Sequence, residues 1–154
     1  MDRIWSPWRR AYVTSGIHEP GCVLCRAFAG EGDSERLVVH RGTHAFVVMN
    51  LFPYNAGHVM VAPARHVGSL AEASPEELQE MMALARRLEG VLAEEYRPDG
   101  LNLGINLGRA GGAGVADHIH LHVVPRCTTS RSESPSPAKA RHSTQPGSWI
   151  PLVT

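Results

Sequence analysis

Apolar residues recur along this chain with two different periods, and the period identifies the element. Residues 37–40 lead into 45–49, and 58–62 follow; all read as strands, short apolar runs bounded by turn residues. Arg41-Gly42-Thr43 marks a tight connection, and residues 50–57, containing Pro53, Asn55 and Gly57, mark a loop. The period then changes. Ser74-Pro75-Glu76-Glu77 carries a helix start, with a capping serine, proline at the first helical position and glutamate at the third. Leu78, Met81, Met82, Ala85, Leu88, Val91 and Leu92 follow at helical spacing, which predicts a core-facing stripe on a helix ending near Tyr96, before Arg97-Pro98-Asp99-Gly100. Two more strands are predicted around residues 101–106 and 118–124, joined by the glycine-rich run 108–114. There is no internal repeat.

The 154 residues suffice for one domain with a single core. Composition changes after Pro125: residues 128–148 are dominated by Ser, Thr and Pro and contain no aliphatic branched, Met or aromatic side chain. Such a stretch buries too little apolar surface to offset its ordering entropy, so residues 1–127 are expected as the domain and 128–154 as a disordered tail. The net charge of zero conceals this division. Up to Pro125 there are 11 basic and 14 acidic residues, and beyond it 4 and 1. A mildly acidic body excludes bulk positive charge as the source of ligand binding and argues against a nucleic-acid-gripping protein. No apolar run approaches the length of a membrane span, and the first ten residues, with Trp5, Trp8 and three arginines, lack the pattern of a secretory signal. A cytoplasmic protein is expected. The only lysine is Lys139, which rules out a catalytic lysine or a Walker-type phosphate loop in the body.

Nine histidines are a surplus, and three of them form the most informative segment, His118-Ile119-His120-Leu121-His122-Val123-Val124. In a strand this alternation puts three imidazoles on one face, successive ones roughly 6.5 Å apart, and Ile119, Leu121 and Val123 on the core face. An incidental half-exposed strand explains one histidine easily but not three. Imidazole suits nucleophilic and acid–base work near neutral pH, because each ring nitrogen can hold a separate task.

This segment, followed by Pro125-Arg126, resembles the signature of the histidine-triad (HIT) superfamily of nucleotide hydrolases and transferases. The block from Asn50 through Pro53-Tyr54-Asn55 and Gly57-His58 to His66 is similar to the superfamily's first motif, and the stretch from Asn102 through Asn106 to Gly112 to its loop before the triad. Trp5-Ser6-Pro7-Trp8-Arg9, Tyr12 and Cys22-Val23-Leu24-Cys25 resemble the branch that contains bacterial diadenosine tetraphosphate phosphorylases. The resemblance implies an α+β fold, an antiparallel five-stranded sheet with one long and one short helix, and a homodimer. It implies that His120 attacks the α-phosphorus of a nucleotide to form a nucleotidyl-histidine, splitting one hard displacement into two easier ones. His122 would contact the phosphate and assist the leaving group, and His58 would stand beside the triad. Asn50 would bind ribose hydroxyls, and Asn106, Gly112 and Gly114 would form a loop offering backbone N–H groups to phosphate.

Cys22 and Cys25 alone read as a redox motif, half of a metal site, or two small buried residues. By resemblance to zinc-bearing members, Cys22, Cys25, His66 and His118 are four ligands of a structural zinc, a closed tetrahedral set with no open position for water. The competing readings are a reduced buried pair or a redox couple, with His66 capping a helix or facing solvent. His18, His40, His44 and His142 have no spacing partner and are expected at the surface, and Cys127 has no assigned role.

The resemblance ends at Arg126. The branch continues there with a Gly-Asp-Asn-Phe-like segment, whereas this chain enters Cys127-Thr128-Thr129-Ser130, as a truncated or frameshifted end would. The leading expectation is an enzyme that cleaves diadenosine polyphosphates through His120, with phosphate or water as acceptor. The alternatives are an adenosine phosphoramidase using the same intermediate, and a nucleotide-binding protein of poor turnover. Intact His58, His120 and His122 speak for the enzymes and the altered tail for the binder. No membrane partner and no specific nucleic acid are expected.

Overall fold

Residues 21–31 and 37–127 are described by the computed structural model. Within them the chain runs α1 (Val23–Ala29), β1 (Val38–Arg41), β2 (Ala45–Met49), β3 (Val59–Pro63), α2 (Pro75–Tyr96), β4 (Gly100–Ile105) and β5 (Leu121–Arg126). The fold is α+β: one antiparallel sheet of order β1-β2-β3-β5-β4, with a long and a short helix. The 128–154 tail, Trp5, Trp8, Tyr12, His18 and His142 lie outside the described residues. No helix among the described residues is long and apolar enough to cross a membrane.

Helix α2 begins as its sequence dictates. The Ser74 side chain accepts the Glu77 N–H while the Glu77 carboxylate accepts the Ser74 N–H, and Pro75 occupies the first turn. Arg97, left-handed at φ 46°, ends the helix. Met81, Leu84, Ala85 and Leu92 are buried against Val47, Val59, Val61, Leu121 and Val123, with Leu78 and Leu88 at the margin. Met82 and Val91 were expected in this stripe, but both are exposed. At about 100° per residue they fall to either side of the line through residues 81, 85, 88 and 92, whose face also includes Leu84. Each fully buried aliphatic side chain in this layer contributes about 1.5–3 kcal/mol.

On the other sheet face, Leu24 of α1 packs with Phe46, Val48 and Ala62, and the Phe28 and Phe46 rings lie 5.1 Å apart. Strand β2 is covered from both sides, which is why its sequence reads as a continuous apolar run without alternation. The β1–β2 turn is held from below by Glu80 of α2, whose carboxylate accepts the N–H groups of Thr43, His44 and Ala45. Gly42 permits this: a Cβ there would sit 2.3 Å from Glu80 Oε1.

The histidine segment enters the sheet later than its alternation suggests. The ladder begins at Leu121, paired with Val61, and residues 118–120 are a lead-in, bent at His118, whose Ile119 N–H goes to Val67 O. The face assignment holds within β5. Leu121 and Val123 join the α2 core, while His122, opposite Met60, lies on the other face. His40 is half-buried beside the apolar residues of α2 rather than fully at the surface, and His44 is exposed.

Candidate active site and metal centre

His58, His120 and His122 are all buried, at 0%, 3% and 5% exposure. Three elements bring them together. The loop after β2 doubles back through Asn50 N–H to His58 O and His58 N–H to Asn55 O, which sets His58 at the head of β3. Asn55 Nδ2 donates to Pro125 O at 2.8 Å, tying this loop to β5. His122 sits in β5, and His120 one step ahead of it.

Bonding partners fix the ring tautomers, because a carbonyl can only accept and a backbone N–H can only donate. His120 Nδ1 is 2.9 Å from His118 O, so Nδ1 carries the hydrogen and a neutral ring holds its lone pair at Nε2. His58 Nδ1 receives the Tyr54 N–H at 3.0 Å, so Nε2 of the neutral ring carries the hydrogen and donates to His122 Nδ1 at 2.9 Å. The proton of a neutral His122 is then on Nε2, which is itself buried. The His120 and His122 rings meet edge to face at 4.7 Å. The site thus presents a ring nitrogen with a lone pair near an N–H hydrogen-bond donor, the donor oriented by a chain of hydrogen bonds from the main chain.

Asn50 is half-buried; its Oδ1 accepts the Phe52 N–H and its Nδ2 lies 3.4 Å from both ring nitrogens of His58. Asn106 follows β4, and its Nδ2 donates to Gly112 O at 3.4 Å, closing the glycine-rich loop on itself. Gly112 has φ 82° and Gly108 φ 67°, conformations natural to glycine, and Gly112 and Gly114 are both exposed. Three contributors were not visible in the sequence. Tyr54 supplies the N–H to His58 and stacks on its ring at 5.0 Å. Gly104 lies directly opposite His122 and a Cβ there would meet only Asn102 Nδ2, at 3.9 Å, so open space adjoins the histidines. Gly111 leaves no room for a Cβ, which would stand 2.4 Å from Leu107 O. The spacing of the quoted motifs encloses all three, but only tertiary contacts single them out.

The second cluster lies on the other side of His118. Cys22 caps the start of α1, Cys25 lies one turn on, His66 is on the loop after β3 and His118 precedes the triad's middle histidine. Their ligand atoms all fall within 4.8 Å of one another. His118 Nδ1 is 3.3 Å from Cys22 Sγ and 3.4 Å from Cys25 Sγ, and Cys25 Sγ is 3.2 Å from His66 Nδ1. Tetrahedral zinc bonds of about 2.3 Å to sulfur and 2.05 Å to nitrogen give S···N separations of roughly 3.6 Å, close to these. His118 Nε2 donates to Pro63 O at 2.9 Å, so Nδ1 has a single lone pair, yet two sulfurs approach it. One S–H can use that lone pair, whereas a cation at the centre engages all four groups. The residues fit a dication of zinc's preferences, and the Pro63 carbonyl would orient the His118 ring toward it. Burial, opposed by the bond to Pro63, pushes His118 down to about 4, which keeps its ring neutral. Burial, and next the neighbouring Cys22, pushes the Cys25 thiol up to about 11.

Among known proteins, the HIT domain family profile matches residues 31–129. The chain is 38% identical over 133 residues to an AP-4-A phosphorylase of Mycobacterium tuberculosis, covering 82% of this chain and 68% of that protein. It is 34% identical over 82 residues to a bis(5'-adenosyl)-triphosphatase of Dictyostelium discoideum, covering 53% and 54%. Among solved structures, a zinc-bound histidine triad family protein from Mycobacterium smegmatis superposes with a TM-score of 0.64 at 29% identity, covering 74% of this chain and 81% of that one. A HIT family member from Bacillus subtilis gives 0.65 at 26% identity, covering 71% and 75%.

Proposed function

The chain belongs to the HIT domain family, and from that premise we propose that it cleaves diadenosine polyphosphates by nucleotidyl transfer through His120. The observation that carries the reading is the pair of tautomers, an Nε2 lone pair on His120 beside an Nε2–H on His122. The relatives named for diadenosine polyphosphate chemistry support it. His120 Nε2 attacks the α-phosphorus, a P–N bond forms, and the P–O bond to the leaving nucleotide breaks, its electron pair leaving on a polyphosphate oxygen that His122 Nε2–H hydrogen-bonds. Phosphate, through an anionic oxygen, or water, losing a proton to solvent, then attacks the same phosphorus, and the P–N bond breaks to restore the His120 Nε2 lone pair. With diadenosine tetraphosphate the products are ATP together with ADP or AMP.

Asn50 binds ribose, and Asn106 with the backbone around Gly112 and Gly114 holds phosphate, a task suited to N–H donors in a mildly acidic body. Cys22, Cys25, His66 and His118 hold a structural zinc, which supplies a fixed cross-link and no reacting group. The chain acts as a homodimer. Strand β4, at one edge of the sheet with Leu103 exposed, suits such pairing.

Purified protein is incubated with diadenosine tetraphosphate, with and without phosphate, and with an adenosine phosphoramidate, alongside His120→Asn. The wild type yields nucleotide products and, after quenching in alkaline denaturant that preserves the acid-labile P–N bond, a nucleotidyl-protein, and the variant yields neither. Equal behaviour of the two on every substrate refutes the catalytic reading. Elemental analysis is expected to find about one zinc per chain.

A further inference from the structure

His66 differs from its three companions at the metal centre. It is exposed, and it sits on a loop outside helix and strand, whereas Cys22 and Cys25 are set by α1 and His118 by its buried ring. Its position therefore depends on what holds its neighbours in the chain. Ala64 N–H bonds to His44 O and Val67 O receives Ile119 N–H, both at 2.8 Å. Between them Arg65 is clamped. Its Nε donates to Glu77 Oε1 at 3.0 Å, and one terminal nitrogen donates to Glu77 Oε2 and to Glu72 O, each at 2.9 Å.

Glu77 is 5% exposed and also accepts the Ser74 N–H at 2.8 Å, so its carboxylate serves three donors. Glu72 adds a bond to Gly68 N–H at 3.0 Å on the far side of His66. Helix capping needs only one oxygen of Glu77, and glutamine serves that task as well as glutamate. The two-pronged fork onto Arg65 is a second function that needs the carboxylate.

We propose that Glu77, acting through Arg65, is a positioning residue for the metal centre, holding the His66 loop so that Nδ1 faces Cys25 Sγ. This rests on the zinc reading above. With His66 Nδ1 only 3.2 Å from Cys25 Sγ, a displacement of about 1 Å removes the ring from bonding range of a shared cation. Arg65 beside it holds the Glu77 carboxyl below the usual carboxylate range, as a committed ion pair does.

The test uses the full chain, stripped of metal and titrated with zinc against a chromogenic chelator and with cobalt by visible absorption. Glu77→Gln keeps the cap and loses the charged fork, and zinc affinity is expected to fall about tenfold or more, with a weakened tetrahedral cobalt band. Arg65→Leu, at an exposed side chain, is expected to do the same. Ser74→Ala lowers thermal stability but leaves zinc affinity within about twofold, which separates loop positioning from helix capping. In a His66→Ala background, Glu77→Gln has no further effect on affinity.

Wild-type affinity in Glu77→Gln, or an equal loss in the His66→Ala background, overturns the proposal while leaving the zinc reading intact. Failure of the wild type to bind either metal overturns both.

Discussion

Replacing His58 by leucine isolates the relay. The substitution keeps a buried side chain of similar bulk but removes the donor that His122 Nδ1 meets at 2.9 Å. His122 is 5% exposed, so water cannot readily take the donor's place. Losing a buried hydrogen bond and leaving its acceptor unpaired costs about 1–3 kcal/mol. Because about 1.4 kcal/mol is tenfold, the tautomer with hydrogen on His122 Nε2 falls by roughly 5- to 150-fold relative to its competitor. That loss matters only where the leaving group needs a proton. An amine leaving from a phosphoramidate needs one, whereas a polyphosphate departs as a stable anion.

Single-turnover rates on both substrates are therefore expected to diverge. The phosphoramidate should slow across that range and diadenosine tetraphosphate by less than about fivefold. His58→Gln, whose amide can donate to the same nitrogen, recovers most of the difference. Leucine also strands the Tyr54 N–H, so melting temperatures must accompany the rates. Equal slowing on both substrates refutes the proton-relay role and leaves His58 as a packing residue.

Two further outcomes follow from the same geometry. Zinc affinity should rise with pH: the Cys25 thiol, pushed up to about 11, holds a proton that the metal must displace, whereas His118, at about 4, is already neutral in ordinary buffers. Chelator competition between about pH 6 and 8 should show one to two log units of affinity per pH unit, and a flat profile contradicts thiolate ligation. Gly111→Ala would force a Cβ to within 2.4 Å of Leu107 O, reshaping an exposed loop. We expect a roughly 10- to 100-fold loss of kcat/KM with little change in melting temperature, and unchanged kinetics would remove the loop from the phosphate site.

What the sequence made legible was set by local chemistry. The Ser74–Glu77 box and the apolar period located α2, and the alternation of Leu121, His122 and Val123 sorted the faces of β5 correctly. Alternation reports side-chain direction but says nothing of pairing. Residues 118–120 lie outside the ladder, because the Ile119 N–H is used by Val67 on a loop more than fifty residues earlier. Non-local partners account for the other omissions too. Glu77 reads as a capping residue, and its fork to Arg65 exists only once the loop folds back. Tyr54 acts on His58 largely through its main chain, which no side-chain pattern reveals. Met82 and Val91 are apolar residues of the right type on the wrong side of a cylinder, an error of rotation.

His118 divides its work between two parts of one residue. Its imidazole faces the cysteines, while its carbonyl oxygen holds His120 Nδ1. Every amino acid has that carbonyl. Descent with modification can therefore exchange the side chain at this position, discarding the proposed metal ligand outright, while the acceptor that orients the neighbouring ring is inherited unchanged. The proposed metal site and the proposed reactive ring are in this sense separately mutable, and a lineage can shed the first through single substitutions while keeping the acceptor that serves the second.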